Sequence, residues 1–175
     1  MAATTTEMII RKALPSEVET LADIGFVAWE RDLMPFLNGP AAQKQNERRR
    51  LSAAVHELLD RIIVAEIDGL AVGWCARQRG KAYIPYLFVT PLLQNHGIGT
   101  ALLRRMESML ELQGADRVQL DTLADNVRAV NFYQHQGYQI LVLKSEGKPG
   151  QQGSLSIRLE KRLHPFRGRI EDAEE

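Results

Sequence analysis

The spacing of apolar residues in the first half of the chain predicts one strand, two helices and three further strands. Residues 8–11 form a short apolar run, which is typical of a strand. From residue 18 to residue 59 apolar positions recur at helical spacing, and Pro35, Gly39 and Pro40 divide this stretch into two helices. Three β-branched and apolar runs follow, separated by Asp68-Gly69 and Arg79-Gly80, and predict antiparallel strands. These runs are residues 61–67, 70–77 and 82–89.

The second half alternates between helices and strands. Residues 97–112 carry one apolar stripe, which predicts an amphipathic helix, and residues 117–123 alternate as a strand does. A short helix to about His135 and strands at 138–143 and 155–159 complete the order β-α-α-β-β-β-α-β-α-β-β. The crossover helix implies at least one parallel strand pair, so we expect an α/β (α+β) fold with a mixed central sheet. One domain over residues 7–162 and a polar tail over residues 163–175 are expected.

Composition and charge restrict the classes of partner. The 175 residues are 45% hydrophobic and 25% charged, which is ordinary for a globular domain. Lysine and arginine number 22, as do aspartate and glutamate, so overall charge gives no support to nucleic-acid or membrane binding. The single cysteine, Cys75, cannot form an internal disulfide, and the four histidines show no metal-ligand spacing. Because no signal peptide or membrane-spanning run is visible, we expect a cytoplasmic protein. Because the cysteine and the histidines lack metal-ligand spacing, we expect no metal ion.

A glycine-containing loop comes directly before the crossover helix. The stretch is Val89-Thr-Pro-Leu-Leu-Gln-Asn-His-Gly-Ile-Gly-Thr100. The first N–H groups of a helix have no internal partner, and Gly97 and Gly99 leave room for a ligand against that backbone. These are the components of a phosphate-binding turn, although an ordinary loop explains the spacing equally well. It is neither a P-loop, since no lysine follows, nor a dinucleotide fingerprint, since residue 102 is leucine.

A second stretch, residues 126–138, places Asn126, Ala129, Val130 and Tyr133 close to one face of the short helix. Taken alone, Tyr133 is better explained as a tyrosine at the edge of the core. The two stretches together resemble the GNAT superfamily of acetyl-CoA-dependent N-acetyltransferases. The first motif of that family is matched by Val89, Pro91, Gln94, Gly97 and Gly99, and the second by Asn126, Ala129, Phe132, Tyr133, Gly137 and Tyr138. The predicted element order is also that of the GNAT fold.

The resemblance implies a cleft for acetyl-CoA, the co-substrate, between two strands that splay apart. Pro85 fits such a splay, because proline is tolerated at a bulge but not in a regular central strand. The backbone of Leu87, Phe88 and Val89 would then bind the pantetheine arm. Asn126 would bind the cofactor arm, and Asn131 or Arg128 its far end. The residues implied for the pyrophosphate are Gln94, Asn95, His96, Gly97, Ile98, Gly99 and Thr100.

The resemblance also implies a general acid, Tyr133, which would protonate the departing CoA thiolate. Many members carry the general base as glutamate before the glycine loop, but residues 84–86 here are Ile-Pro-Tyr. Others carry it five residues before the motif asparagine, a position held by Asp121, which could equally be a solvated strand residue. The expected function is acetyl transfer to a primary amine of a small molecule or peptide by direct attack in a ternary complex. The alternative is a non-catalytic acyl-CoA-binding module. Exposed edge strands are compatible with a homodimer.

Overall fold

The order of helices and strands agrees with the order that the sequence predicts. The computed structural model describes residues 7–37, 42–146 and 154–164. The α-helices are α1 Val18–Asp32, α2 Ala42–Leu58, α3 Ile98–Leu112 and α4 Val127–His135. The strands are β1 Met8–Lys12, β2 Ile62–Ile67, β3 Leu70–Ala76, β4 Tyr86–Val89, β5 Arg117–Leu123, β6 Gln139–Glu146 and β7 Ser154–Arg162.

The strands form two antiparallel groups that touch at one point. One group has the order β1-β2-β3-β4 and the other the order β5-β7-β6. A single parallel bridge between Tyr83 and Gln119 joins them. There the Ile84 N–H donates to the Gln119 carbonyl at 2.9 Å, and the Gln119 N–H donates to the Ala82 carbonyl at 3.0 Å. Past this bridge β4 and β5 have no ladder between them, so the expected mixed sheet with a splayed pair is confirmed.

Pro85 explains where the two groups separate. The sequence pattern predicts one strand over residues 82–89, but β4 begins only at Tyr86. Pro85 lies between the bridge and β4, and proline has no N–H to continue a ladder toward β5. The contact between the two groups therefore ends at this residue. β4 keeps its other edge paired with β3, in a register that places Phe88 opposite Trp74.

Apolar side chains pack on both faces of the sheet. On one face α3 contributes Leu102 and Met106, which are fully buried with Val118 and Leu120 of β5. On the other face the buried cluster joins α1 and α2 to the sheet through Trp74. The Trp74 indole N–H donates to the Leu21 carbonyl at 2.8 Å, so the one polar atom of this side chain is satisfied. The sheet is thereby held between two helical layers, and the cleft opens at its centre.

Some predicted boundaries differ from those observed. β6 and β7 extend past their predicted apolar runs because they pair with each other from Gln139 opposite Glu160 to Glu146 opposite Ser154. Pairing with a neighbouring strand can keep polar residues within a strand, even where the alternation of apolar residues that predicts the strand has stopped. Most of the predicted tail, from residue 165 onward, lies outside the described residues.

Candidate active site

A cavity of about 780 Å³ lies where β4 and β5 diverge. Its walls come from β4, the loop before α3, the end of β5 and the start of α4, with the end of α1 on one side. Most residues predicted for the site line this cavity: Leu87, Phe88, Val89, Gln94, Asn95, Gly97, Gly99, Thr100, Asp121, Asn126 and Tyr133. Residues from both sequence motifs therefore meet in one cleft.

The first wall offers main-chain groups. The Thr90 N–H donates to the Val72 carbonyl at 2.8 Å, and the same register places Phe88 opposite Trp74. Since hydrogen bonding alternates along an antiparallel pair, the peptide groups of Phe88 belong to the β3 ladder. Those of Leu87 and Val89 point toward the cleft, where the Gln94 side chain donates to the Val89 carbonyl at 3.3 Å. Phe88 contributes its ring to the cavity rather than its backbone.

The N-terminus of α3 presents further N–H groups to the same cavity. Gly97 is the N-cap residue with φ of 81°, and no side chain in the described structure caps this helix. Its carbonyl accepts from the Ala101 N–H at 3.0 Å, so the three N–H groups between them have no partner within the helix. The helix dipole adds positive potential at this end. This arrangement favours an anion such as a phosphate.

Three of the predicted residues direct their side chains elsewhere. The ring Nδ1 of His96 lies 2.8 Å from the Gln94 carbonyl oxygen, on an exposed part of the loop. Ile98 is buried in the core beneath α3. Asn131 is exposed on α4, where its carbonyl contacts His135. None of the three lines the cavity, although His96 and Ile98 belong to the turn whose backbone does.

Asn126 fixes the start of α4. Its side-chain oxygen accepts from the Ala129 N–H at 3.2 Å, so it caps the helix, and the residue is buried at the cavity wall. An asparagine at this position supplies the acceptor that a helix N-terminus requires. The cap orients the helix that carries Tyr133, so the asparagine has a structural role in addition to lining the cavity.

Tyr133 places a protonated hydroxyl group in the cleft. The residue is half-buried, and its ring meets Phe132 and Tyr138 edge-on, with centroid distances of 5.1 and 5.6 Å. Burial raises its pKa well above that of a free tyrosine, and the nearby Cys75 and Tyr83 act in the same direction. The phenol is therefore neutral at physiological pH and able to donate a proton.

Asp121 is held by charged side chains of the second wall. Arg158 of β7 lies opposite it and donates to both carboxylate oxygens at 2.8 and 2.9 Å, while the Lys144 Nζ lies at 3.8 Å. Hydrogen bonding from Arg158 keeps the pKa of Asp121 below its usual value. Burial, together with the neighbouring Asp121, raises the pKa of Tyr83 to about 12. At neutral pH the Asp121 carboxylate is thus an anion, and the neighbouring Tyr83 phenol is neutral.

The end of α1 is tied to the glycine loop. Gln94 donates to Asp32 at 2.7 Å and accepts from Arg128 at 3.3 Å. Arg31 donates to the Pro91 carbonyl at 2.9 Å. Sequence analysis missed Arg31, and it missed Arg158 because nothing in the sequence shows which residue of β7 lies opposite Asp121.

A second cavity, of about 600 Å³, adjoins the first. The two share Phe36 and Asp125, and the second extends toward α2 and the start of β7. On α2, Arg50 pairs with Glu47 and also donates to the Tyr86 hydroxyl at 3.0 Å. Sequence analysis assigned neither Phe36 nor Asp125 a role in the site. No signal in the sequence shows that the two cavities share these residues.

Two further searches cover the described residues only. In that part of the chain, histidine, cysteine, aspartate and glutamate form no group of three or more that could hold a metal ion. No helix there has the length and apolarity that a bilayer crossing requires.

Comparison with known proteins agrees with this geometry. Residues 26–138 match the model of the Acetyltransferase (GNAT) family. The ribosomal-protein-S18-alanine N-acetyltransferase of Escherichia coli is similar in fold, with TM-score 0.69, 17% identity, and coverage of 94% of this chain and 99% of that one. PaiA N-acetyltransferase from Thermoplasma acidophilum in complex with coenzyme A gives TM-score 0.67 at 17% identity, covering 89% and 99%. YncA of Salmonella typhimurium, a putative acetyltransferase solved with acetyl-CoA, gives 0.67 at 16%, covering 91% and 95%.

The fold and the family model define an enzyme of the acetyltransferase class. The chain belongs to the GNAT family of acetyltransferases, since the family model covers more than half of its length.

Proposed function

We propose that this protein transfers the acetyl group of acetyl-CoA to a primary amine of a small molecule or a peptide, by direct attack in a ternary complex. The observation that carries the proposal is the splay itself. Main-chain groups of Leu87 and Val89 that point away from β3 line one cleft with the uncapped start of α3. An extended chain of amides ending in a diphosphate is complementary to that combination.

The pantetheine arm would lie along β4 and the diphosphate against the loop and first turn of α3. The space at the turn supports this placement. A Cβ at Gly97 would meet nothing within 4 Å, and one at Gly99 would be 3.6 Å from Phe132. The glycine loop is thus open on the side that faces the cavity.

For the chemistry, acetyl-CoA supplies an activated thioester carbonyl. Tyr133 would donate its proton to the departing sulfur, since its raised pKa keeps it protonated until that charge develops. Asp121 is the candidate that receives the proton of the attacking ammonium through a water molecule. Its lowered pKa makes it a weak base, so the proton passes on to solvent and the carboxylate is ionised again before the next turnover.

A non-catalytic acyl-CoA-binding module is the second candidate, and one observation favours it. Residues 84–86, where many family members carry a glutamate, are Ile-Pro-Tyr, and Asp121 is occupied by Arg158. A module of this kind would bind acetyl-CoA through the same backbone groups without turnover.

A thiol-release screen separates the two candidates. The purified protein is incubated with acetyl-CoA and amines that include peptides, lysine derivatives, polyamines and arylalkylamines, and the product is detected by mass. We expect free CoA and an acetylated amine in equal amounts. Calorimetric binding of acetyl-CoA with no thiol release from any amine supports the module instead.

We further propose a cytoplasmic location and a homodimer. β6 is the outer strand of its group, and Ile140, Leu141, Val142 and Leu143 are all at least 44% exposed. Exposed apolar strand edges of this kind pair readily with a second chain. Light scattering after size exclusion tests the dimer, and Val142→Lys is expected to yield monomer.

A further inference from the structure

The two adjoining cavities meet at Phe36 and Asp125, which line both. Asp125 lies in the turn between β5 and α4, directly before the capping asparagine, and its side chain is exposed. Phe36 ends the short turn Met34–Phe36 after α1, and 40% of it is exposed. The boundary between the two cavities therefore carries a carboxylate and an aromatic ring.

Asp125 differs from the other carboxylates that line these cavities. Glu47 is paired with Arg50, and Asp121 with Arg158 and Lys144. Asp32 accepts from Gln94 at 2.7 Å. Within the described structure no hydrogen bond or ion pair engages the carboxylate of Asp125.

The neighbouring stretches that the structure does not describe supply no competing carboxylate. Residues 38–41 are Asn-Gly-Pro-Ala and residues 147–153 are Gly-Lys-Pro-Gly-Gln-Gln-Gly, so neither contains aspartate or glutamate. Among the acids that line the two cavities, Asp125 is thus the one whose carboxylate has no partner within the described residues.

We propose that Asp125 and Phe36 form the acceptor-amine subsite, and that the acceptor is a primary ammonium carried on an apolar stem. Asp125 attracts the ammonium by charge, and an aromatic face at the same opening is also favourable for a cation. The stem lies in the second cavity, which both Phe36 and the 44% exposed Leu155 line. This inference rests on the proposed function and extends it from amines in general to a cationic, apolar subset. An arylalkylamine and the first residue of a peptide with an apolar side chain share this chemistry.

Binding is measured by NMR titration of phenethylamine into the full-length protein, with CoA present and absent. We expect Asp125→Asn to weaken phenethylammonium binding at least tenfold, Asp125→Glu to restore much of it, and Asp32→Asn, which removes a carboxylate that Gln94 already engages, to change it less than twofold. The uncharged isostere 2-phenylethanol controls for loss of packing, and we expect it to bind all variants equally. The tripeptide Phe-Gly-Gly is the second arm: tighter binding than phenethylamine assigns the site to peptide termini, and weaker binding assigns it to small amines.

Several results would overturn the inference. These are no binding of phenethylammonium to the parent protein, equal loss with Asp32→Asn and Asp125→Asn, or loss of 2-phenylethanol binding in step with the amine. Thermal unfolding of Asp125→Asn checks that the variant is still folded, and the glutamate variant keeps the test valid where the asparagine variant is unstable.

Amine binding that depends on Asp125 without thiol release from acetyl-CoA contradicts the proposed transferase activity but not the subsite. Thiol release with unchanged amine affinity in Asp125→Asn contradicts the subsite alone.

Discussion

The two walls of the cleft bind by different means. The β4 wall, with the loop before α3, presents peptide groups, and the side chains around it are largely apolar or amide. The β5 wall, with the start of α4, presents side chains with charges or hydroxyl groups: Asp121, Asp125 and Tyr133. A ligand shared by a whole family can be bound by backbone geometry, whereas the acceptor and the proton transfers depend on individual side chains and their neighbours. Each prediction below changes one wall and measures whether the function assigned to it is lost.

The largest expected effect is on the β5 wall. Tyr133→Phe removes the proposed acid, and loss of such a group typically lowers kcat by about 10²- to 10⁴-fold. Acetyl-CoA affinity is expected to change less than threefold, because the hydroxyl acts on the leaving group. Stopped-flow or steady-state thiol release, together with calorimetry, measures the two quantities separately.

Tyr138→Phe is a matched control for that change. Its ring lies 5.6 Å from that of Tyr133, but its hydroxyl donates to Glu107 at 2.9 Å in the interior, where Lys161 also contacts Glu107 at 2.8 Å. Removing it leaves a buried carboxylate with one partner fewer, which costs about 1–3 kcal/mol of unfolding free energy. We expect lower stability with kcat within threefold of the parent. Equal losses of kcat and acetyl-CoA affinity in Tyr133→Phe remove Tyr133 from the acid role.

The next effect concerns the β4 wall. Gly97 has φ of 81°, a conformation that costs a residue with a side chain about 1–2 kcal/mol. Because a Cβ there meets no atom within 4 Å, Gly97→Ala acts through the backbone alone. We expect the turn of the free variant to relax out of this conformation, so that cofactor binding must restore it. Calorimetry should then show acetyl-CoA affinity lowered by about tenfold, since 1.4 kcal/mol corresponds to that factor.

Gly99→Ala provides the comparison. The added methyl group fits the protein at 3.6 Å from Phe132, and the residue already has helical geometry. Its stability is expected to match that of the parent, so any loss of affinity arises from contact with the cofactor. Unchanged acetyl-CoA affinity in both variants would falsify the placement of the diphosphate at this turn.

The sequence predicts the two walls unequally well. The glycine loop and Pro85 identify the first wall, because a turn that opens a helix and a strand that must leave its neighbour both require particular residues. The second wall depends on partners distant along the chain. Arg158 is 37 residues from Asp121, and only the register of β5 with β7 brings them together. Asp125 is adjacent to a motif residue, yet the role proposed for it rests on a carboxylate that has no partner in the part of the chain that the structure describes.

A smaller effect is expected for the candidate base. Asp121→Asn removes a carboxylate whose pKa is already below its usual value, and a weak base contributes less than a well-matched one. We expect kcat to fall about tenfold at pH 7 and much less at pH 9, where more of the amine is already unprotonated. The pH profile of thiol release, measured with parent and variant on one amine, tests this. A uniform loss at both pH values would assign Asp121 a structural role with Arg158.

The smallest expected effect is on the free energy of unfolding at low pH. The test compares one ion pair from each strand group. Hydrogen bonds from Arg11 lower the pKa of Glu17, as those from Arg158 lower the pKa of Asp121. Each carboxylate therefore binds a proton more readily when the chain is unfolded, so each stabilises the fold at neutral pH. That contribution begins to fall as the pH drops through the ordinary values of 4.5 and 3.8, and it is lost below the folded pKa values.

Urea unfolding between pH 2 and 6 is expected to show a free energy of unfolding that depends less steeply on pH in Asp121→Asn and in Glu17→Gln than in the parent. The two decreases should add, because the pairs share no partner; a double variant with the slope of either single one would show that the two strand groups are coupled through the Tyr83–Gln119 bridge.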